Sequence, residues 1–292
     1  MLSLLQTHPP LLFGVTVVLG LLIGSFLNVV VYRLPIMLQR EWATQCAELR
    51  EAPAPEHTPA RFNLLVPASA CPACGTAIRP WQNIPVISWL LLRGRCAACG
   101  TAISTRYPVV EAATAVFSLA VIWQFGATPQ GAAALLFTWT LIAASLIDFD
   151  TTLLPDSLTL PLMWAGLLLA LTAGGAGVFA DLPSAVIGAA AGYLILWSIY
   201  WLFKLVTGKE GMGYGDFKLL AAIGAWLGWQ VLPQVILLSA VVGAAVGLSL
   251  MVVRGRDRDM AIPFGPYLAA AGWIALVWGE DINRLYLGAT GL

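Results

Sequence analysis

Apolar residues gather along this chain in long blocks separated by short polar stretches. Runs of near-membrane length occupy 11–32, 108–126, 131–147, 157–173, 183–205, 231–253 and 263–279. A spanning helix needs roughly 20 such residues. An eighth run, 217–229, has 13 residues and taken alone fits a tilted or re-entrant segment equally well. The basic residues favour a full span. With the N-terminus outside and eight spans, the inner segments are 33–107, 148–156, 206–216 with its flanks, and 254–262. They hold fourteen of the fifteen Lys and Arg residues, leaving Arg284 outside. Such asymmetry follows the positive-inside rule. A re-entrant 217–229 would place Arg254, Arg256 and Arg258 on the outer side. The pattern therefore predicts an all-α polytopic membrane protein of about eight transmembrane helices.

Composition agrees. Of 292 residues, 59% are hydrophobic and 10% charged, against about 25% charged in a soluble domain. The formal net charge is zero, so bulk charge gives no argument for a nucleic-acid partner. The first ten residues carry no Lys or Arg, and the apolar run behind them reaches about two dozen residues. That predicts a spanning helix rather than a cleaved signal peptide. Three parts follow: a first transmembrane helix at 1–32, a cytoplasmic insert at 33–107, and a multi-span membrane domain at 108–292.

The insert is the sizeable soluble piece, and at this size a domain often needs a metal or disulfide. It contains CPACG at 71–75 and CAACG at 96–100. Each CxxCG turn presents two thiolates, and its glycine allows the positive φ that the knuckle needs. Cys71, Cys74, Cys96 and Cys99 have the spacing of a four-sulfur structural Zn²⁺ site, which leaves no position for a reacting water. Cys46 has no partner spacing. His57 is an alternative ligand by residue type, though a solvated loop histidine is the simpler reading. The Pro/Ala-rich stretch 51–60 reads as an extended connector.

Ionisable residues at membrane depth mark function by default. In LIDFDTTLLPDS, Asp148 lies nearest the membrane, Asp150 further into the turn, and Asp156 or Ser157 where a helix N-cap is expected. In GMGYGD at 211–216 the glycines permit unusual backbone, and Asp216 stands either as a cap or as a second carboxylate. The topology places Asp148 and Asp216 at the same face, where they can meet. Two such carboxylates can share a proton, one serving as base toward water and the other as acid. Paired membrane carboxylates also serve ion or proton transport, and a zinc-anchored scaffold is a third reading. Elsewhere, Gly20, Gly24 and Asn28 share one helix face, with Gly20 and Gly24 forming a small-xxx-small pair suited to close packing. Arg33 with Leu34-Pro35 marks the cytoplasmic exit of the first helix. Glu111 reads as a first-turn carboxylate favoured by the helix dipole, or as a group near the active site. Lys218 either pairs with an aspartate or marks the membrane boundary.

Together GSFLNVVVYRLP, the two CxxC pairs, RYPVVE at 106–111, LIDFDTTLLPD and GMGYGDFKLL resemble the bacterial type IV prepilin peptidases that are also N-methyltransferases. The likeness covers nearly the whole chain. It implies that the catalytic residues are Asp148, seven positions before Pro155, and Asp216 of the GxGD turn. It implies cleavage of the basic leader of prepilins and pseudopilins, after the glycine preceding a usually phenylalanine N-terminus. Methylation of the new amine from S-adenosylmethionine would follow. The setting it implies is the bacterial inner membrane, with a cytoplasm-facing site. The insert holds no glycine-rich nucleotide loop, so no residue is assigned to the methyl donor.

Overall fold

The computed structural model describes residues 8–53, 61–175, 177–254 and 263–290; the His57 reading lies outside them. Among the described residues every long element is a helix. The only β-type pairings there are the isolated bridges Ala70–Ala77 and Arg95–Ala102. The chain divides into two units, residues 1–131 and 132–292.

In the first unit, α1 (Pro9–Leu49) packs along α3 (Arg106–Phe125), with the insert and the short α2 (Ile87–Leu91) between them in sequence. The small-residue face of α1 makes this contact. A Cβ on Gly20 would stand 2.6 Å from Ala115 Cα, and one on Gly24 2.7 Å from Glu111 Cα. Asn28 continues the seam, its Nδ2 donating to the Tyr107 and Gly24 carbonyls at 3.2 Å each. That face is thus helix packing closed by a polar contact.

Two features depart from expectation. The first helix does not stop at Pro35 but runs on to Leu49, 41 residues in all. Residues 36–49 are mostly good helix formers, and Pro35 is buried. Beside it the buried Arg33 donates to the carbonyls of Asn63 at 2.9 Å and Pro67 at 2.6 Å, and both Arg33 and Arg40 lie over the Phe62 ring. Arg33 therefore ties the insert to the helix. Glu111 is the second departure. It lies beyond the first turn of α3, so the dipole reading does not apply. Its buried carboxylate instead accepts the Val86 amide at 2.7 Å, holding the insert from the other side.

The second unit contains α4 (Pro129–Thr151, reaching back across the division), α5 (Asp156–Ala170), α6 (Leu182–Thr207), α7 (Tyr214–Leu227), α8 (Leu232–Arg254) and α9 (Gly265–Thr290). The 14-residue α7 is its central post, buried from Asp216 to Trp226 except at Lys218. Helices α5, α6 and α9 pack against it. The Phe137 ring of α4 lies tilted 5.0 Å from the Trp226 ring, and Trp226 Nε1 donates to the Leu162 carbonyl at 2.7 Å. Glycines bring the backbones together. A Cβ on Gly192 would stand 2.6 Å from the Leu220 carbonyl oxygen, and Gly188 and Gly224 meet backbone to backbone. With main chain on both sides, no rotamer change relieves a larger residue. Gly224→Val is expected to destabilise by about 3 kcal/mol, the upper end for overpacking. Thermal unfolding in detergent would show it, and an unchanged midpoint would refute this account of the α6–α7 seam.

Among the described residues, five helical segments are long and apolar enough to cross a membrane: Pro9–Leu49, Arg106–Phe125, Pro129–Thr151, Leu182–Thr207 and Trp229–Ser249. The apolar Asp156–Ala170 is shorter, and α7 shorter still.

Candidate active site and metal centre

The two aspartates of interest come from different helices. Asp148 stands three residues before the end of α4, and Asp216 is the third residue of α7. They are 4% and 6% exposed, and Asp216 lies close enough to feel the charge of Asp148. Asp216 could have spent its carboxyl capping α7, but Gly213 occupies the cap position and no side chain caps the helix. Its Oδ1 is buried with no hydrogen-bond partner among the described residues. A buried orphan oxygen is unfavourable, so something other than folding keeps it there.

Asp148 is held differently. Its Oδ2 accepts the Gly265 amide at 2.9 Å. Gly265 is the first residue of α9, so this is a free helix N-terminal N–H, which favours negative charge. Sequence reasoning missed this residue. Its signal was the Pro-Phe-Gly-Pro punctuation at 263–266, which marks a turn. Only glycine fits there: a Cβ would stand 2.6 Å from Asp148 Oδ2 and 3.0 Å from Leu154 Cδ1. Gly215 makes an equally close approach to Leu154, whose Cβ would lie 2.5 Å from an added Cβ. Leu154 thus links the LIDFDTTLLPD turn to both glycine turns. Gly265→Ala is expected to displace the Asp148 carboxylate and lower turnover by roughly 10–100-fold, as misplacement of a reacting group does. Full activity in that variant would show that the amide contact does not position Asp148.

Further contacts fix the surrounding turns. Lys218 Nζ donates to both carboxylate oxygens of Asp156, at 2.6 and 2.8 Å. The pairing read for Lys218 is therefore present. The N-cap reading for Asp156 or Ser157 is corrected: Pro155, its φ fixed near −64°, is the cap residue and the helix begins at Asp156. Asp150 is exposed, two residues and about half a helical turn from Asp148. On the α6 side, Lys204 bridges the Tyr200 hydroxyl at 3.1 Å and Glu210 at 2.8 Å. The hydrogen bond from Lys204 holds the Glu210 carboxyl below its ordinary range. Tyr200, 2% exposed, packs against Tyr214 and Phe217 at ring separations of 5.3 and 5.7 Å. The GMGYGD turn is thus fastened at both ends.

The first unit carries the cysteine cluster. The Sγ atoms of Cys71, Cys74, Cys96 and Cys99 all lie within 4.8 Å of one another, with Cys71 and Cys99 3.8 Å apart. Four sulfurs about 2.3 Å from a tetrahedral Zn²⁺ would be separated by about 3.8 Å, so the set fits that ion. The two knuckles repeat one design. In each, the amide of the first Cys donates to Thr76 or Thr101, the glycine amide returns to the first Cys, and Gly75 and Gly100 have φ of 68° and 71°. The second Cys of each lies beside a threonine hydroxyl, Cys74 at 3.2 Å and Cys99 at 3.3 Å. The Thr101 hydroxyl and amide bring the Cys99 thiol down to about 6, toward the thiolate that a metal needs. Cys46 is exposed on α1, outside the cluster.

The fold and these two centres define a polytopic helical membrane protein with a buried aspartate pair and a four-cysteine knuckle. Residues 18–125 match the bacterial peptidase A24 N-terminal domain, and residues 135–248 match the type IV leader peptidase family. The chain is 57% identical over 293 residues to the prepilin leader peptidase/N-methyltransferase of Pseudomonas aeruginosa, covering 100% of this chain and 99% of that protein. It is 56% identical to the protein of the same name from Stutzerimonas stutzeri, covering 97% of this chain and 96% of the relative. With the one from Aeromonas hydrophila it shares 55% identity, covering 98% of each. No solved structure matches. The chain belongs to the type IV leader peptidase family.

Proposed function

We propose that this protein removes the basic leader of type IV prepilins and pseudopilins and then N-methylates the new N-terminus, with Asp148 and Asp216 as the catalytic pair. The observation that carries the reading is the burial of two interacting carboxyls from separate helices, in a member of this family. Family membership favours it over the transport reading. In an aspartic mechanism the pair shares one proton. The Gly265 amide favours negative charge on Asp148, which suits it to take a proton from the attacking water. Asp216 then donates its proton to the scissile carbonyl oxygen. Collapse of the tetrahedral intermediate breaks the C–N bond, and a proton passes to the leaving nitrogen, releasing a free α-amine.

That amine is the methyl acceptor, and S-adenosylmethionine supplies the methyl group when bound. Cys71, Cys74, Cys96 and Cys99 hold one structural Zn²⁺ that shapes the insert. Eight spans with the N-terminus outside would put the aspartate end at the cytoplasmic face of the inner membrane, level with the junction between a prepilin's basic leader and its apolar helix. Mass spectrometry of a prepilin incubated with purified protein and S-adenosylmethionine tests both activities at once. The expected product lacks its leader and carries one added methyl group. An untouched prepilin would sink the proposal.

A further inference from the structure

The second unit contains a mostly apolar cavity of about 370 Å3, within the roughly 300–1,000 Å3 range of ligand sites. It lies among Leu196 and Ile199 of α6, Ile236 and Ala240 of α8, and Phe264 and Tyr267 at the start of α9. Its rim is made by the two turns that hold the carboxyls. Phe264 precedes Gly265, whose amide holds Asp148; Gly211 and Met212 open the turn that ends at Asp216. From that rim the lining runs along α8 from Ala244 back to Ile236, about 12 Å at 1.5 Å per residue. Its direction is away from the aspartate end.

The space depends on a glycine. A Cβ on Gly243 would stand 3.3 Å from Tyr267 Cδ2 and 3.7 Å from Phe264 Cε2. Any longer side chain there grows into the cavity. Beside the lining residues Ile236 and Ala240, α8 exposes Leu237 at 67% and Val241 at 58%. In a membrane those face lipid. The cavity is therefore open to an apolar segment arriving sideways from the bilayer.

Resting on the peptidase reading above, we infer that this cavity binds the apolar helix of the prepilin just after the scissile bond, docking its first large side chains between α6, α8 and Phe264–Tyr267. The occupant follows from placement. A substrate whose peptide bond lies at Asp148 and Asp216 has a basic leader on one side of the cut and an apolar helix on the other. The cavity is apolar, is lined at one end by residues of the turns that carry Gly265 and Asp216, and runs away from that end. Binding there registers the cut against the start of the apolar helix.

Two measurements on the full-length protein test this. The first compares cleavage of intact prepilin with cleavage of a soluble peptide that spans the cut but lacks the apolar helix. Gly243→Leu is expected to raise KM for the prepilin with a smaller change in kcat. Its loss of kcat/KM on prepilin should exceed that on the peptide by roughly tenfold or more, as filling an apolar site does. The milder Ala240→Leu should shift in the same direction. The second places a photoreactive benzophenone side chain at Ala240, with Trp164 on the exposed face of α5 as control. Crosslinking to prepilin from 240 and not from 164, abolished by excess unlabelled prepilin, is the expected result. Equal loss on both substrates, or adducts at 240 with lipid acyl chains alone, overturns the inference. Wild-type protein that cuts neither substrate refutes the peptidase reading itself, and this inference with it.

Discussion

Asp148→Asn and Asp216→Asn each lower leader cleavage by roughly 10²–10⁴-fold or to below detection, as loss of a general acid or base does. The protein remains folded. Asn has the shape of Asp, and at 148 its carbonyl oxygen still accepts the Gly265 amide. At 216 no described partner of Oδ1 is lost. Asp150→Asn, altering an exposed group, stays close to wild-type rate. Cleavage of purified prepilin, with circular dichroism as the check on folding, decides it. Retained cleavage in either buried variant removes that residue from the pair. An essential Asp150 with a dispensable Asp148 would reassign the catalytic residue within LIDFD.

Much of this site was legible because membrane burial leaves few charges to choose among. Asp148 and Asp216 were singled out by lying at the ends of apolar runs, and the two CxxCG turns by a spacing with a chemical reason. What the sequence hid was tertiary. The Gly265 amide reaches Asp148 across 117 residues, and no local pattern reports such a contact. Arg33 with Leu34-Pro35 marks the cytoplasmic exit of the first helix, and a proline there suggests that the helix ends. Yet α1 continues to Leu49, its neighbouring Arg33 bound to insert carbonyls. Asp156 and Ser157 stand where an apolar run begins, which suggests one of them as the cap, but Pro155 holds that position. Run length and the placement of basic residues together favour eight spans, the short eighth run included. The structure shows the eighth as a 14-residue helix enclosed by its neighbours, a placement that composition does not encode.

The second large effect concerns the metal. Purified protein is expected to carry one Zn²⁺ per chain, and Ser in place of Cys71, Cys74, Cys96 or Cys99 to lose most of it. Structural zinc sites contribute on the order of 10 kcal/mol to folding of small domains, and the insert has little core to replace that. Cys46→Ser should keep both metal and activity. The consequence for the chemistry is a division. The cluster and the aspartates belong to different units of the chain. The aspartate variants should therefore still methylate a pre-cut pilin with a free N-terminus, while failing on an unprocessed one. The cysteine variants should lose methylation of the pre-cut substrate. Metal analysis and methyl incorporation are the measurements. A metal-free but fully active protein would refute the zinc site. Aspartate variants that lose methylation of pre-cut pilin, with cysteine variants that retain it, would refute the division.

The shortness of α7 carries a consequence for hydration. At 1.5 Å per residue its 14 residues extend about 21 Å, whereas the 26 residues of the adjoining α6 extend about 39 Å. A hydrocarbon layer is about 30 Å thick. α7 is thus too short to cross such a layer by itself, and α5 packed beside it has 15 residues. On the proposed reading Asp216 lies at the aqueous end, so water reaches the carboxyl without crossing lipid. The level of that end is set by the surrounding protein and not by the lipid. The thickness of the surrounding bilayer instead governs how a substrate's apolar helix is presented to it. Acyl-chain length in the host membrane thereby becomes a variable of peptide-bond hydrolysis, acting through the substrate's height relative to a fixed pair of carboxyls.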